Sequence, residues 1–428
     1  MERLLMKKLL QWKESEYRKP LILKGARQVG KTWLMKEFGK RYFSTVAYIS
    51  FFNNTAAKEI FNEDYEIERI TQALEALVHK KIDKNTLIIF DEIQEAPKAI
   101  ESLKYFCEEA REYYVIAAGS LLGLAIHSGI SFPVGKVSEM CLYPMNFKEF
   151  LMALGEERLS EFLDDFESPN FSIFFDKYER YLRQYLAVGG MPEVVGTFIN
   201  TKDYDLVREN QLAIIQQYEG DFTKHINPTQ LPRLNMTWHA IPVQLAKENK
   251  KFFFGQIKKG ARMSDFEIAI EWLINAGLIY KVNQVTKPGQ PLRAYVDFTA
   301  FKIYLVDVGL LGALSELSTD CILGGSDIYV EFKGAMAEQF VLQEIIAAGK
   351  YTPFYYSSEK GAYEVDFLIQ KGAAVVPIEV KAKDNLKAKS LKFYCEKYKP
   401  EFAVRTSCSG VRKQEWMVNI PLWAIGAV

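Results

Sequence analysis

The sequence has little of what staples or metallates a small domain. Its five cysteines (Cys107, Cys141, Cys321, Cys395, Cys408) are scattered, odd in number and never paired as C-x-x-C. That argues against a disulfide framework or a zinc ribbon and fits a reducing compartment. With only four histidines (His79, His127, His225, His239) and no H-E-x-x-H or G-x-S-x-G, a histidine-based metal site and a serine-hydrolase elbow are not indicated. There is no excess of charge: 54 Lys plus Arg balance 54 Asp plus Glu. This excludes a polycation but leaves room for a local basic patch. Repeats and low-complexity tracts are lacking too.

Residues 115–135 carry no Lys, Arg, Asp or Glu, a length that could cross a bilayer. They also hold Gly119, Gly123, Gly129, Gly135, Pro133, His127 and three serines, so a buried strand entering a loop is the better reading. The N-terminal MERLLMKKLLQWKESE interleaves charge with leucine and reads as an amphipathic helix, not a signal peptide. A cytoplasmic protein with no membrane partner is expected.

The length of 428 residues predicts several domains. Over residues 1–154, apolar runs at 21–24, 46–51, 87–90 and 115–118 alternate with helical stretches, the pattern of a parallel sheet covered by helices. Residues 155–231 read as a helical segment or lid. Residues 232–320 combine a helix opening at the capping pair Ser264 and Glu267 with strands at 278–282 and 292–296 around the turn Lys287-Pro288-Gly289-Gln290, a winged-helix-like order. Residues 321–428 form a small α/β unit: a helix over 334–348, strands at 354–357, 365–370 and 375–381, and a helix near 386–398. The fold class is α/β: a P-loop parallel sheet with flanking helices, then a helical segment, a winged-helix-like domain and a small nuclease-like α/β domain.

The strongest motif is Gly25-Ala26-Arg27-Gln28-Val29-Gly30-Lys31-Thr32, with Trp33 opening the next helix: G-x-x-x-x-G-K-[ST] between a strand and a helix. Backbone N–H groups of such a loop can curl around phosphate oxygens, and the helix N-terminus adds positive potential. Lys31 is expected at the β- and γ-phosphates of ATP, and Thr32 on Mg²⁺. The run Leu87-Ile88-Ile89-Phe90 ends in Asp91-Glu92, placing two carboxylates at the sheet's C-terminal edge. Asp91 is expected to hold Mg²⁺ through water, and Glu92 to polarise the attacking water. Ser120, after the strand at 114–118, is the candidate to stand between Asp91 and the γ-phosphate and sense hydrolysis; a plain helix N-cap is the blander alternative.

GARQVGKT, IIFDEIQ, the AAGS strand end, LYPMNFKEF (142–150), VGGMPEVV and the closing VDFLI…PIEVK pair together resemble the AAA-type ATPases of prokaryotes, in particular a family joining such a module to a C-terminal domain of unknown function. The likeness covers nearly the whole chain. It implies ATP binding, ATP hydrolysis with Mg²⁺ and a potential for homo-oligomers. Two positions depart from the pattern: Lys136 stands where relatives often carry arginine, and Ser120 where Asn or Thr is common.

In the last unit, Asp366 lies in EVDFLI, and the following strand ends Glu379-Val380-Lys381. Residues two apart share a strand face, so Glu379 and Lys381 point the same way. With Glu338 on the preceding helix, this resembles the PD-(D/E)xK nuclease core. By that likeness Asp366, Glu379 and Glu338 would hold Mg²⁺, and Lys381 would orient water for phosphodiester attack. The bland alternative is a set of cross-strand salt bridges, between Asp366 and Lys381 or between Glu379 and a lysine such as Lys383. The scaffold also occurs without cleavage.

Between residues 247 and 262, Lys247, Lys250, Lys251, Lys258, Lys259 and Arg262 face a single acid, Glu248, with Phe252, Phe253 and Phe254 interleaved. Such a run can track a phosphate backbone and stack bases, making DNA a candidate partner. It can equally be a solvated lysine face over core phenylalanines. The function expected first is an ATP-hydrolysing AAA-type module that couples nucleotide turnover to a nucleic-acid-facing, nuclease-like C-terminal domain; the rival is a nucleotide-switched signalling or scaffold protein whose last domain binds protein and cuts nothing.

Overall fold

The computed structural model describes residues 1–119, 132–247, 250–324, 330–358, 361, 363–382 and 388–428. The chain divides into two compact units: residues 1–143 with 275–277, and residues 144–274 with 278–428.

The first unit is built on a five-stranded parallel sheet. Its strands are β1 (Leu21–Lys24), β2 (Thr45–Ser50), β3 (Thr86–Asp91), β4 (Tyr114–Ala118) and β5 (Ser138–Cys141), in the order β2-β3-β4-β1-β5. The first four coincide with the apolar runs to within a residue or two, because strands covered on both faces must be apolar throughout. β5 carries Ser138 and Glu139 at the sheet edge and gives no such signal. Helix α1 (Leu5–Glu14) buries Leu9 and Trp12; α2 (Lys31–Tyr42) buries Leu34, Met35 and Phe38. Since every strand runs the same way, all C-terminal ends share one edge. β4 lies between β1 and β3, so the chain leaving β4 starts between the phosphate-loop strand and the acidic strand.

The second unit has an eight-stranded mixed sheet. Its strands are β6 (Ile279–Val285), β7 (Val296–Leu305), β8 (Phe354–Ser357), β9 (Glu364–Lys371), β10 (Ala374–Val380), β11 (Val404–Ser407), β12 (Arg412–Lys413) and β13 (Val418–Pro421), ordered β12-β13-β11-β10-β9-β8-β6-β7. The returning strand expected at 292–296 begins only at Val296, after a short 3₁₀ turn over Leu292–Tyr295. The β6–β7 ribbon is also not a free-standing wing. β6 pairs β7 antiparallel on one edge and β8 parallel on the other, so the ribbon and the strands of residues 354–380 are one sheet. Nothing in residues 279–305 announces that pairing, because β8 lies about seventy residues on.

The helix Val330–Ala348 is stitched to the end of β7 by the Gln339 amide, which accepts from Leu305 N (2.9 Å) and donates to Leu305 O (2.7 Å). The LYPMNF and VGGMPE segments meet in this unit. Met145 N donates to Gly190 O at 2.7 Å, and Tyr185 Oη donates to Met145 O at 2.5 Å. Asp307 accepts from Gly190 N (2.6 Å) and Leu310 N (3.0 Å). A Cβ on Gly190 would lie 2.0 Å from Met145 O, which is why only glycine fits there.

Candidate functional site

In the first unit, the loop after β1 leads into α2 through Gly30, whose φ of 93° is left-handed, and Gln28 adopts φ 67° without being glycine. Gly25 is needed for space: an added Cβ would sit 2.2 Å from Leu142 O. That strand end is anchored in turn, since Leu142 N donates to Lys24 O at 2.8 Å. The buried Arg3 guanidinium donates to Val29 O (2.8 Å) and Tyr143 O (2.6 Å), tying the loop to the segment after β5. Sequence reasoning gave Arg3 no role; a lone arginine near a chain start offers no signal.

Lys31 is buried, and its ammonium donates to Gly25 O (2.8 Å) and Ala26 O (2.7 Å). Burial pulls it down to about 8, against the opposing pull of Glu92 and Asp91. Thr32 Oγ1 donates to Asp91 Oδ2 at 2.7 Å, joining two motifs 59 residues apart. The same oxygen accepts from Tyr48 Oη at 2.9 Å, and Asp91 Oδ1 accepts from Glu92 N at 3.1 Å. Glu92 has φ 52° and receives the Gln94 amide on Oε2 at 2.6 Å. Left-handed backbone at a non-glycine costs on the order of 1–3 kcal/mol and concentrates at functional sites. Trp33 is exposed beside the loop. Ser120 lies outside the described residues. Lys136 pairs with Glu108 at 2.7 Å on the surface. The donor set fits a magnesium nucleotide: a hydroxyl and a carboxylate in contact beside a glycine-framed loop and a buried lysine.

In the second unit, Glu338, Asp366, Glu379 and Lys381 come together, but lysines come with them. Lys250 makes a short ion pair with Glu338 Oε1. Lys302, fully buried on β7, lies 2.5 Å from Glu364 Oε1 and 3.9 Å from Glu338 Oε2, and Tyr304 Oη donates to Glu338 Oε2 at 3.1 Å. Lys381 pairs with Glu379 at 2.6 Å rather than with Asp366, whose Oδ2 accepts from Val380 N at 2.8 Å. Burial raises Asp366 well above the usual carboxylate range, helped by Glu338 and Glu379. Burial alone would raise Glu338 and lower Lys302. The lysines beside Glu338 bring it below the ordinary value, and Tyr304, Glu364 and Glu338 take Lys302 well above its own. Three ammonium groups thus face three glutamates. Among the described residues, no group of three or more His, Cys, Asp or Glu is arranged to hold a metal ion. Of the magnesium set expected from the sequence, Glu338 and Glu379 are paired with Lys250 and Lys381, and Asp366 accepts from Val380 N.

The basic run also divides. Lys250 leaves the surface for this cluster, and Phe252 is buried, stacked on Phe301 at 5.8 Å. Phe254 packs on Phe266 at 5.9 Å, leaving Phe253 the exposed one of the three. Phe252 is thus a core residue, and Phe254 is half-buried. Among the described residues no helix is long and apolar enough to cross a membrane.

Residues 17–151 match the model of an AAA domain. Residues 179–320 match a domain of unknown function, DUF8612, and residues 333–425 another, DUF4143. No curated protein matches the chain. Among solved structures, the Walker-type ATPase PABY2304 of Pyrococcus abyssi is similar at 15% identity, over 73% of this chain and 95% of that one, with a TM-score of 0.47. The ORC1 protein of Aeropyrum pernix in complex with DNA is similar at 13% identity, over 73% and 90%, with a TM-score of 0.28. The RuvB Holliday junction branch migration motor of Thermotoga maritima is similar at 12% identity, over 68% and 91%, with a TM-score of 0.29. The motif, the sheet order and the family model agree on the class: residues 17–151 match an AAA domain and carry a P-loop on a parallel five-stranded sheet.

Proposed function

We propose that the chain binds ATP with Mg²⁺ at the loop 25–32 and hydrolyses it. The observation that carries this reading is the Thr32–Asp91 contact at 2.7 Å, which brings a hydroxyl and a carboxylate together beside the loop. Thr32 and Asp91 would hold the ion, which supplies charge neutralisation at the β- and γ-phosphates. The loop N–H groups and the N-terminus of α2 bind phosphate oxygens, and Lys31 exchanges the Gly25 and Ala26 carbonyls for them. Glu92, held by Gln94, accepts a proton from the attacking water. Steady-state hydrolysis tests the reading. Lys31→Ala should lower the rate by about a hundredfold or more, and Glu92→Gln should lower it by a similar factor while leaving ATP bound. Unchanged rates in both would reject it.

For the second unit, the reading supported best is a partner-binding, non-cleaving domain on a nuclease-like scaffold, switched by the nucleotide. Its support is the pairing of Lys250, Lys302 and Lys381 with Glu338, Glu364 and Glu379. The rival is a nucleic-acid-facing nuclease acting with DNA. Duplex and single-stranded DNA added to the hydrolysis assay separate the two. Stimulation, with Mn²⁺-dependent cutting lost in Asp366→Ala, favours the nuclease; an indifferent rate favours a protein partner.

A further inference from the structure

We infer that Tyr48 is a positioning residue for the metal-facing carboxylate of Asp91, holding its Oδ2 from β2 while Thr32 holds it from α2. The inference rests on the ATP–Mg²⁺ reading above and adds a residue that no sequence motif marks.

The geometry begins with strand register. β2 and β3 are parallel, with Tyr48 opposite Ile89 and Ser50 opposite Asp91. The Tyr48 side chain reaches along the strand to Asp91, where its hydroxyl donates to Oδ2 at 2.9 Å. Oδ2 therefore has two donors, Thr32 Oγ1 and Tyr48 Oη, while Oδ1 is held by the Glu92 N–H. A threonine hydroxyl can ligate the ion through a lone pair while its O–H stays on Oδ2, so the Tyr48 bond is the contact to that oxygen that comes from outside the phosphate loop and its helix. Removing a group that orients a metal's carboxylate typically costs about 10–100-fold in metal affinity or activity.

The tyrosine is itself fixed. Lys36 Nζ lies 3.7 Å from the Tyr48 ring centroid. Lys36 is one turn beyond Thr32 on α2, so both project from the same helix face. Thr32, Asp91, Tyr48 and Lys36 thus close a ring of contacts between α2, β3 and β2.

The test is nucleotide binding by the full chain, read by the fluorescence of a mant-labelled ATP, first in EDTA and then over a Mg²⁺ titration. Tyr48→Phe keeps the ring and removes the hydroxyl. Affinity in EDTA should match the wild type, and the Mg²⁺ concentration giving half of the metal-dependent gain should rise about tenfold or more. Lys36→Met, which keeps the hydroxyl and frees the ring, should shift it the same way by less. An unchanged Mg²⁺ requirement in Tyr48→Phe, with binding in EDTA intact, overturns the inference. A loss confined to EDTA affinity overturns it as well, because that is the mark of a structural role. Lys31→Ala separates the two levels: if it binds like the wild type, the ATP reading has failed, whereas a metal-indifferent Tyr48→Phe beside a non-binding Lys31→Ala fails this inference alone.

Discussion

Two clusters of lysine and carboxylate in this protein are arranged in opposite ways. At the phosphate loop, Lys31 donates to two backbone carbonyls, and Asp91 accepts from two hydroxyls. Neutral groups hold both charges in place. In the eight-stranded sheet the lysines go to the acids themselves: Lys250 to Glu338, Lys302 to Glu364, Lys381 to Glu379. A buried charge must find a counter-charge or lose its ionisation. The second cluster finds its counter-charges within the chain. On the ATP reading proposed above, the first takes its counter-charges from phosphate beside Lys31 and Mg²⁺ beside Asp91; its buried lysine is depressed to about 8.

The sharpest way to break this contrast is to unbalance the second cluster. Lys302→Met removes a fully buried ammonium and leaves Glu364 and Glu338 short of a partner. Thermal or denaturant unfolding should show a loss of about 3–5 kcal/mol. A neutral effect would mean that the lysines are incidental and the acids belong to an ion.

A smaller effect concerns pH at the loop. Burial lowers Lys31 from 10.5 to about 8, and bound phosphate would raise it again. Between those two values ATP binding takes up a proton, so affinity should fall as pH rises above 8, by up to about tenfold per unit. Calorimetry in buffers of different ionisation enthalpy reads that uptake directly. Affinity flat from pH 7 to 10 would show that Lys31 does not meet the phosphates.

Glu344 sharpens the comparison from a third side, as an acid in the second unit held by a neutral donor. It accepts from Phe147 N at 2.8 Å, and burial raises it from 4.5 to about 8, with Glu149 adding to the rise. The folded chain therefore holds this proton more tightly than the unfolded chain. The stability it contributes is complete below pH 4.5 and is lost as pH climbs to about 8. Glu344→Gln keeps an acceptor for Phe147 and should flatten the slope, so the melting temperature of the variant should exceed the wild type's at pH 8.5 by more than at pH 5.

Much of the first site is legible in the sequence because it is written in contiguous motifs. The loop 25–32 and the strand ending in Asp91 each carry their own signal, and apolar runs mark four of the five strands. Tyr48 is not legible: its hydroxyl meets Asp91 only through the β2–β3 register, which one strand's pattern does not reveal. β5 escapes because an edge strand can be half polar. In the second unit β8, β9 and β10 can be read locally, but not the short β11, β12 and β13, nor the joining of β6 to β8 into one sheet. Lys302 left a usable hint, a lone charge inside Phe301-Lys302-Ile303-Tyr304-Leu305, where only a buried partner could justify it. Lys250 left none, since a lysine among lysines reads as a wet surface.

Counting bound Mn²⁺ by electron paramagnetic resonance on the full chain, with and without ATP, tests the contrast most directly. The account predicts about one ion per chain that appears only with ATP, disappears in Lys31→Ala and is untouched by Glu379→Gln. An ion bound without nucleotide and lost in Glu379→Gln would contradict it, and would turn the lysine-filled cluster back into a metal site.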